Sequence, residues 1–145
     1  MLIVGDNLRQ LVVQNDMCDP QLYDVTSLRM TLMSTILVPV PQAEPVVYEH
    51  NDYSALFDRK VLPPSGLSLE PGQAVLACTH DSFVMPLGYF GQVQTKGSLA
   101  RLFVTAHMND SQVDPGYRGR ITLELVNMGP FSVKIPINAT VASMY

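Results

Sequence analysis

From Leu67 to the end, the chain is a succession of short apolar runs, each closed by a turn signal before it reaches the length of a typical helix. The runs QAVLACTH, SFVMPLGYFGQVQT, ARLFVTAHM, GRITLELVNM, FSVKIPI and ATVASMY are punctuated by PG, GYFG, DPG, MGP and IPIN. Glycine and proline at such points favour backbone angles that a continuing strand or helix does not use, so the chain reverses there. Short strands with turns about every 8 to 12 residues bury their inward faces by stacking into a sandwich or closing into a barrel. The predicted fold class is all-β with one small helix.

That helix is expected in the arm from Met1 to Asn15, where Leu8, Leu11, Val12 and Val13 recur at three- and four-residue spacing and Asp6 is placed to cap NLRQLVVQ. SLRMTLMSTILVPVP follows as a long β-prone stretch ended by Pro39 and Pro41. Residues 42–64, rich in Pro, Asn, Asp and Ser, read as a long excursion carrying Val46, Val47, Tyr48, Tyr53, Leu56 and Phe57, a composition suited to ordering by a partner. At 145 residues the chain is expected to be one domain with one core.

Charge and cysteine content exclude several classes of function. A net charge of −4 with nine scattered Lys and Arg gives no basic stripe, so nucleic acid is not expected as a partner. Cys18 and Cys78 stand far apart with no Cys-x-x-Cys and no paired histidine, so no zinc site and no disulfide framework is signalled, and both are expected as reduced, buried small hydrophobes. His80 and His107 have no acidic or cysteine neighbour at ligand spacing, which assigns them core or surface roles rather than a metal. No secretion leader is read at the start, and no apolar run approaches the ~20 residues of a membrane span. A cytoplasmic protein away from membranes is expected.

Two motifs then carry a family resemblance. LEPGQAVLACTHDSFVMP, GYFGQVQTKGSLARL, VDPGYRGRITLELVN and IPINATVASMY together resemble the core of the dCTP deaminase and dUTPase superfamily, whose deaminase branch has G-R-S-S-L-A-R followed by I-D-P-G-W-x-G-x-I-x-L-E. The resemblance covers residues 67–145, with fainter similarity through NLRQLV and TSLRMTL. It implies a distorted jelly-roll β-barrel and a homotrimer with nucleotide sites between subunits. It also implies metal-free deamination, in which a strand glutamate serves as general base and acid for a water attacking C4 of cytosine, while a turn serine and arginine position that water. Carried onto this sequence, the glutamate is Glu124, the arginine Arg101, and the aspartate that binds deoxyribose, or orients the hydrolytic water in the dUTPase branch, Asp114. No cofactor is implied; Mg²⁺ would accompany the triphosphate as part of the substrate.

The same alignment shows departures. The phosphate turn reads Lys96, Gly97 and Ser98, so the catalytic serine position holds Gly97 and only the second serine, Ser98, is present. Gln112 stands where the deaminase branch has a basic residue, Asp110 where it has a small one, and Arg29 and Thr31 where an acidic and a basic residue are expected. Both branches continue into a tail that folds over the nucleotide, whereas this sequence stops at Tyr145. Simpler roles compete at each position. Glu124 alternates with Ile121, Leu123 and Leu125 closely enough to be an ordinary outward strand residue; Arg101 could serve a subunit ion pair; Asp114 before Pro115-Gly116 could be a turn opener whose side chain meets the turn's amides. Two readings follow. In one the trimer is catalytically degenerate and serves as a structural or interaction module, for instance a decoration protein on a viral shell and so present in the virion. In the other it is an active dCTP deaminase or dUTP pyrophosphatase, with Lys96, Ser98, Arg101, Gln112 and Asp114 holding the nucleotide.

Overall fold

The computed structural model describes residues 1–49, 53–108 and 110–145; residues 50–52 of the expected excursion lie outside them. Helix α1 (Gly5–Gln14) buries Leu8 and Val12 against the barrel. Asp6 is not its cap. The cap position is Val4, which has no oxygen to offer, so the leading amide of Gly5 donates instead to the Val25 carbonyl at 2.7 Å, and Asp6 sits in the first turn where the helix dipole favours a carboxylate.

The strands are β1 (Tyr23–Asp24), β2 (Ser27–Pro39), β3 (Phe57–Val61), β4 (Leu67–Leu69), β5 (Ala74–Thr79), β6 (Phe83–Val84), β7 (Gly91–Thr95), β8 (Val104–Thr105), β9 (Gln112–Val113), β10 (Arg118–Gly119), β11 (Thr122–Asn127), β12 (Val133–Ile135) and β13 (Thr140–Met144). One helical turn, α2 (Gly97–Ala100), joins β7 to β8. Nine strands form a curled antiparallel sheet in the order β8-β11-β5-β2-β13-β7-β9, with β1 and β3 also on β2; β6 pairs with β10 and β4 with β12. The all-β expectation with a jelly-roll-like barrel and one N-terminal helix is met. Within the excursion, however, Phe57–Val61 is a regular strand, registered on β2 from Phe57 opposite Pro39 to Val61 opposite Thr35. Its side chains are almost all exposed, and Asp58, Arg59 and Lys60 blunt a sheet edge, so no apolar alternation announced it.

The core gathers the inward residues of these strands, with Phe83, Leu28, Met30, Leu69, Leu123 and Leu125 fully enclosed. Among the described residues no helix is long and apolar enough to cross a membrane. Cys18 is buried as expected, whereas Cys78, on β5, is only half-buried; both are free thiols.

Polar side chains are buried among these core residues, Ser27, Thr79, Asn127 and Ser143. Asn127, 0% exposed at the end of β11, donates through Nδ2 to the carbonyls of Leu69 and Phe131, both at 2.9 Å, and accepts from the Gly129 amide at 2.9 Å. It thereby ties β11 to β4 and to the MGP turn. Asn127→Leu keeps the volume but leaves three backbone groups unpaired, each costing roughly 1–3 kcal/mol. Urea unfolding should show a loss of about 3 kcal/mol or more for this variant.

Burial pushes the Cys18 thiol up from 9.0 to about 12, with the charges of Asp19 and Asp81 adding to the effect. The folded state therefore holds the thiol proton where the unfolded chain releases it. Stability should fall as pH rises from about 9 toward 12, and Cys18→Ala should flatten that slope in denaturation midpoints measured across this range.

Candidate functional site

The segment VDPGY makes a tight corner between β9 and β10. Pro115 presets the backbone, Gly116 takes a left-handed φ of 82°, and the Tyr117 amide closes the turn on the Asp114 carbonyl at 3.1 Å. The Gly116 amide is anchored in turn on the Met85 carbonyl at 3.0 Å. This corner brings Asp114 and Tyr117 to one side of a cavity of about 280 Å³.

Strand β11 supplies the opposite wall. Leu123 and Leu125 point into the core, so the period-2 alternation turns Thr122 and Glu124 to the other face, where both line the cavity. Glu124 is half-buried, and its Oε2 accepts from the Met108 amide at 2.8 Å, which fixes the carboxylate in place. The segment before β9 forms the rim. There Asp110 Oδ1 accepts from the Gln112 amide at 3.3 Å, and Gln112 Nε2 donates to Asp114 Oδ1 at 2.9 Å. The Asp114 side chain thus takes Gln112 as its partner rather than the amides of its own turn. Ser111, beside them, accepts from Gln92 Nε2 at 2.9 Å.

His107 belongs to this cavity too, although the sequence reading gave it a bland role. It is half-buried, its Nδ1 is enclosed without a hydrogen-bond partner, and its main chain is clasped by the Thr105 hydroxyl, which donates to the His107 carbonyl and accepts from the His107 amide at 3.3 Å. No spacing in the sequence announces this, since the fold rather than the chain order brings His107 and Asp114 to one cavity.

The structure divides the remaining candidates from this group. Lys96, Gly97, Ser98 and Arg101 all lie on α2 and its two caps, anchored by the buried Leu99 and by the Lys96 amide donating to the Val141 carbonyl at 2.8 Å. None of them lines the cavity formed by the single chain. Gly97, Ser98 and Arg101 are exposed and Lys96 half-buried. A β-carbon added at Gly97 would meet no atom within 4 Å, so packing within the chain does not require glycine there. Arg29 is engaged elsewhere, its guanidinium donating to the Gln21 carbonyl. The cavity wall carries the carboxyl groups of Asp110, Asp114 and Glu124 with no lysine or arginine among its lining residues. Among the described residues no His, Cys, Asp and Glu side chains are grouped as a metal ion would need.

Comparison with known proteins places the chain in a family. The chain is 30% identical over 132 residues to a dUMP-forming dCTP deaminase of Methanoculleus marisnigri, covering 91% of this chain and 70% of that protein. It is 44% identical over 68 residues to a dUMP-forming dCTP deaminase of Methanopyrus kandleri, covering 46% of this chain and 35% of that protein. In fold it matches the 2′-deoxycytidine 5′-triphosphate deaminase of Agrobacterium tumefaciens with a TM-score of 0.74 at 17% identity, over 99% of this chain and 45% of that one. It matches the EIAV dUTPase with a TM-score of 0.50 at 25% identity, over 66% of this chain and 77% of that one. The chain thus spans less than half the length of the Methanopyrus and Agrobacterium proteins. A profile of the dCTP deaminase-like family matches residues 6–145, and this chain belongs to that family.

Proposed function

We propose that the cavity is the floor of a pyrimidine deoxynucleotide site, and that the chain binds a deoxycytidine nucleotide but deaminates it poorly. The observation that carries this reading is the Glu124 carboxylate, held by the Met108 amide inside a cavity that Asp114 and Tyr117 also line. In that position Glu124 takes a proton from a water attacking C4 of cytosine and returns it to the amino group, which leaves as ammonia. Asp114 receives a sugar hydroxyl. Magnesium would arrive on the phosphates as part of the substrate.

The missing positive groups are assigned to a second copy. In a homotrimer the α2 turn of one subunit faces the cavity of the next, bringing Arg101, Lys96 and Ser98 to the nucleotide. An apolar face beside α2 supports such contact: Leu102, Phe103, Met128 and Phe131 are 42%, 55%, 66% and 45% exposed, and the rings of Phe103 and Phe131 meet edge to face with centroids 6.4 Å apart. What weakens catalysis is Gly97. Without a hydroxyl there, no side chain of that residue can orient the water, and the loss of one preorganised donor costs about 10²–10³ in rate.

A second reading, a non-catalytic interaction module such as a decoration trimer on a viral shell, is favoured by the excursion. Val46, Val47 and Tyr48 are 52%, 65% and 86% exposed, a concentration of apolar surface suited to a protein partner. Both readings place the chain in the cytoplasm, the second also in the virion.

One experiment separates them. The purified chain and Gly97→Ser, each first sized by light scattering for the three-fold mass of a trimer, are incubated with dCTP or dUTP and Mg²⁺ while uracil nucleotide and pyrophosphate are followed. The expected outcome is dCTP binding with near-background deamination by the unmodified chain and a rise of at least about ten-fold in Gly97→Ser. Fast turnover by the unmodified chain would make it an active deaminase or pyrophosphatase. A trimer that binds neither nucleotide would leave the interaction module.

A further inference from the structure

We infer that strand β3 is a docking edge for the β3 of a second copy, the two strands pairing antiparallel about a two-fold axis at Arg59. The inference stands apart from the nucleotide-site reading, since no residue of β3 lines the cavity.

Backbone geometry supplies the edge. β3 is hydrogen-bonded to β2 on one side, and among the described residues no strand lies on its other side. The Val40 amide donates to the Leu56 carbonyl at 2.8 Å, and the Leu62 amide to the Ser34 carbonyl at 2.7 Å. Residues 56 and 62 thus direct main-chain groups at β2, and in an unbroken antiparallel register 58 and 60 do the same. The amides and carbonyls of Phe57, Arg59 and Val61 therefore point away from the sheet. These are the groups that a further strand bonds.

Side chains decide which strand fits. The sequence FDRKV sets Asp58 and Lys60 on either side of Arg59, and all three are exposed. Charges at an edge turn away an apolar strand, which would have to bury them unpaired. A second β3 meets them with their complements. Centred on Arg59, the pairing sets Phe57, Arg59 and Val61 of one copy opposite Val61, Arg59 and Phe57 of the other, so the outward main-chain groups of both copies are matched. Asp58 then falls opposite Lys60 twice, in the non-hydrogen-bonded pairs whose Cα atoms stand closest, at about 4.5 Å. Phe57 meets Val61 twice, an aromatic against a β-branched side chain. Val61 is 76% exposed in the single chain, and Leu37, opposite Arg59 on β2, is 37% exposed, so this face has apolar surface to cover.

Neighbouring registers lack this match. Moving the centre to residue 58 puts Asp58 on Asp58, and moving it to residue 60 puts Lys60 on Lys60 and sets Pro63, which has no amide, opposite Phe57. In the register centred on Arg59 the like-charged pair is Arg59 against Arg59, in a hydrogen-bonded pair whose Cα atoms stand further apart, at about 5.5 Å. The contact is the same patch on both partners and closes with two copies. A single strand pair buries little surface, so the contact is a weak one that forms as the protein is concentrated.

Light scattering over a dilution series reaching ~100 µM reads the pairing. The mass found in dilute solution should double at the upper end for the unmodified chain. Arg59→Pro removes the central outward amide without touching a bond to β2 and should abolish the doubling. Asp58→Lys and Lys60→Asp each set like charges opposite one another and should weaken the association about ten-fold or more. An equimolar mixture of those two variants should regain it, because each then meets opposite charges on the other. Circular dichroism confirms that each variant is folded. An unmodified chain that keeps its dilute mass throughout leaves the edge to a strand of another protein and overturns the inference. So does a doubling that Arg59→Pro preserves, or charge variants that associate as well alone as they do mixed.

Discussion

The architecture depends on one strand serving two halves of the sheet. Strand β2 pairs with β13 through Leu28 to Thr31 and with β5 through Leu32 to Leu37, and β3 adds to its far end. Thirteen residues is long for a strand, and a flat strand of that length could not face a closed core along its whole course. Register breaks resolve this: one lies between Leu32 and Ile36 against β5, and another between Thr140 and Ala142 against β13. Such irregularities bend a strand and raise its twist, so β2 turns the corner of the barrel while remaining hydrogen-bonded on both sides. Without that shared strand, the sheet that carries β11 and the sheet that carries β7 and β9 would have no fixed relation.

The cavity lies where those two halves approach each other. Glu124 comes from the β5–β11 side, Val93 and the rim residues from the β7–β9 side, and the corner at Asp114 spans the distance between them. Several of the cavity's polar residues are held by main chain or by a neighbour. The Met108 amide fixes Glu124, Gln112 fixes Asp114, and Asn127 locks the C-terminal end of β11 to β4. A site assembled from residues on different strands keeps its geometry only when the strands beneath it are rigid, which is why the buried Asn127 matters to a cavity it does not touch.

The sequence made the barrel legible because turn chemistry and alternation reinforce one another from Leu67 onward. PG, DPG and MGP mark reversals, and LEL in β11 states which face is core. Where the two signals part, reading from sequence falters. Strand β3 has no buried stripe, because it sits on an edge and is held by backbone bonds to β2, so Phe57–Val61 read as loop. The cap of α1 was misplaced because Gly5, whose amide finds the distant Val25 carbonyl, begins the helix ahead of Asp6. His107 reads from the sequence only as a core or surface residue, because Asp110 and Glu124, which line the cavity with it, are gathered by the fold and no fixed spacing encodes that meeting.

The separation of α2 from the cavity is itself a consequence of topology. The turn joins β7 to β8, which lie toward opposite ends of the sheet order and meet where the sheet curls round, the Ala106 amide donating to Thr95 Oγ1 at 2.8 Å. Leu99 pins it there, leaving Gly97, Ser98 and Arg101 exposed while the acidic residues gather elsewhere. A single chain therefore lines its cavity with the carboxyl groups of Asp110, Asp114 and Glu124 and carries Lys96, Ser98 and Arg101 outside it. In the proposed site, a second copy approaching with its α2 first would bring Arg101 toward Glu124. Gly97 on the turn and Asp110 at the rim therefore lie on different parts of the chain's surface, and a change at one leaves the packing around the other untouched.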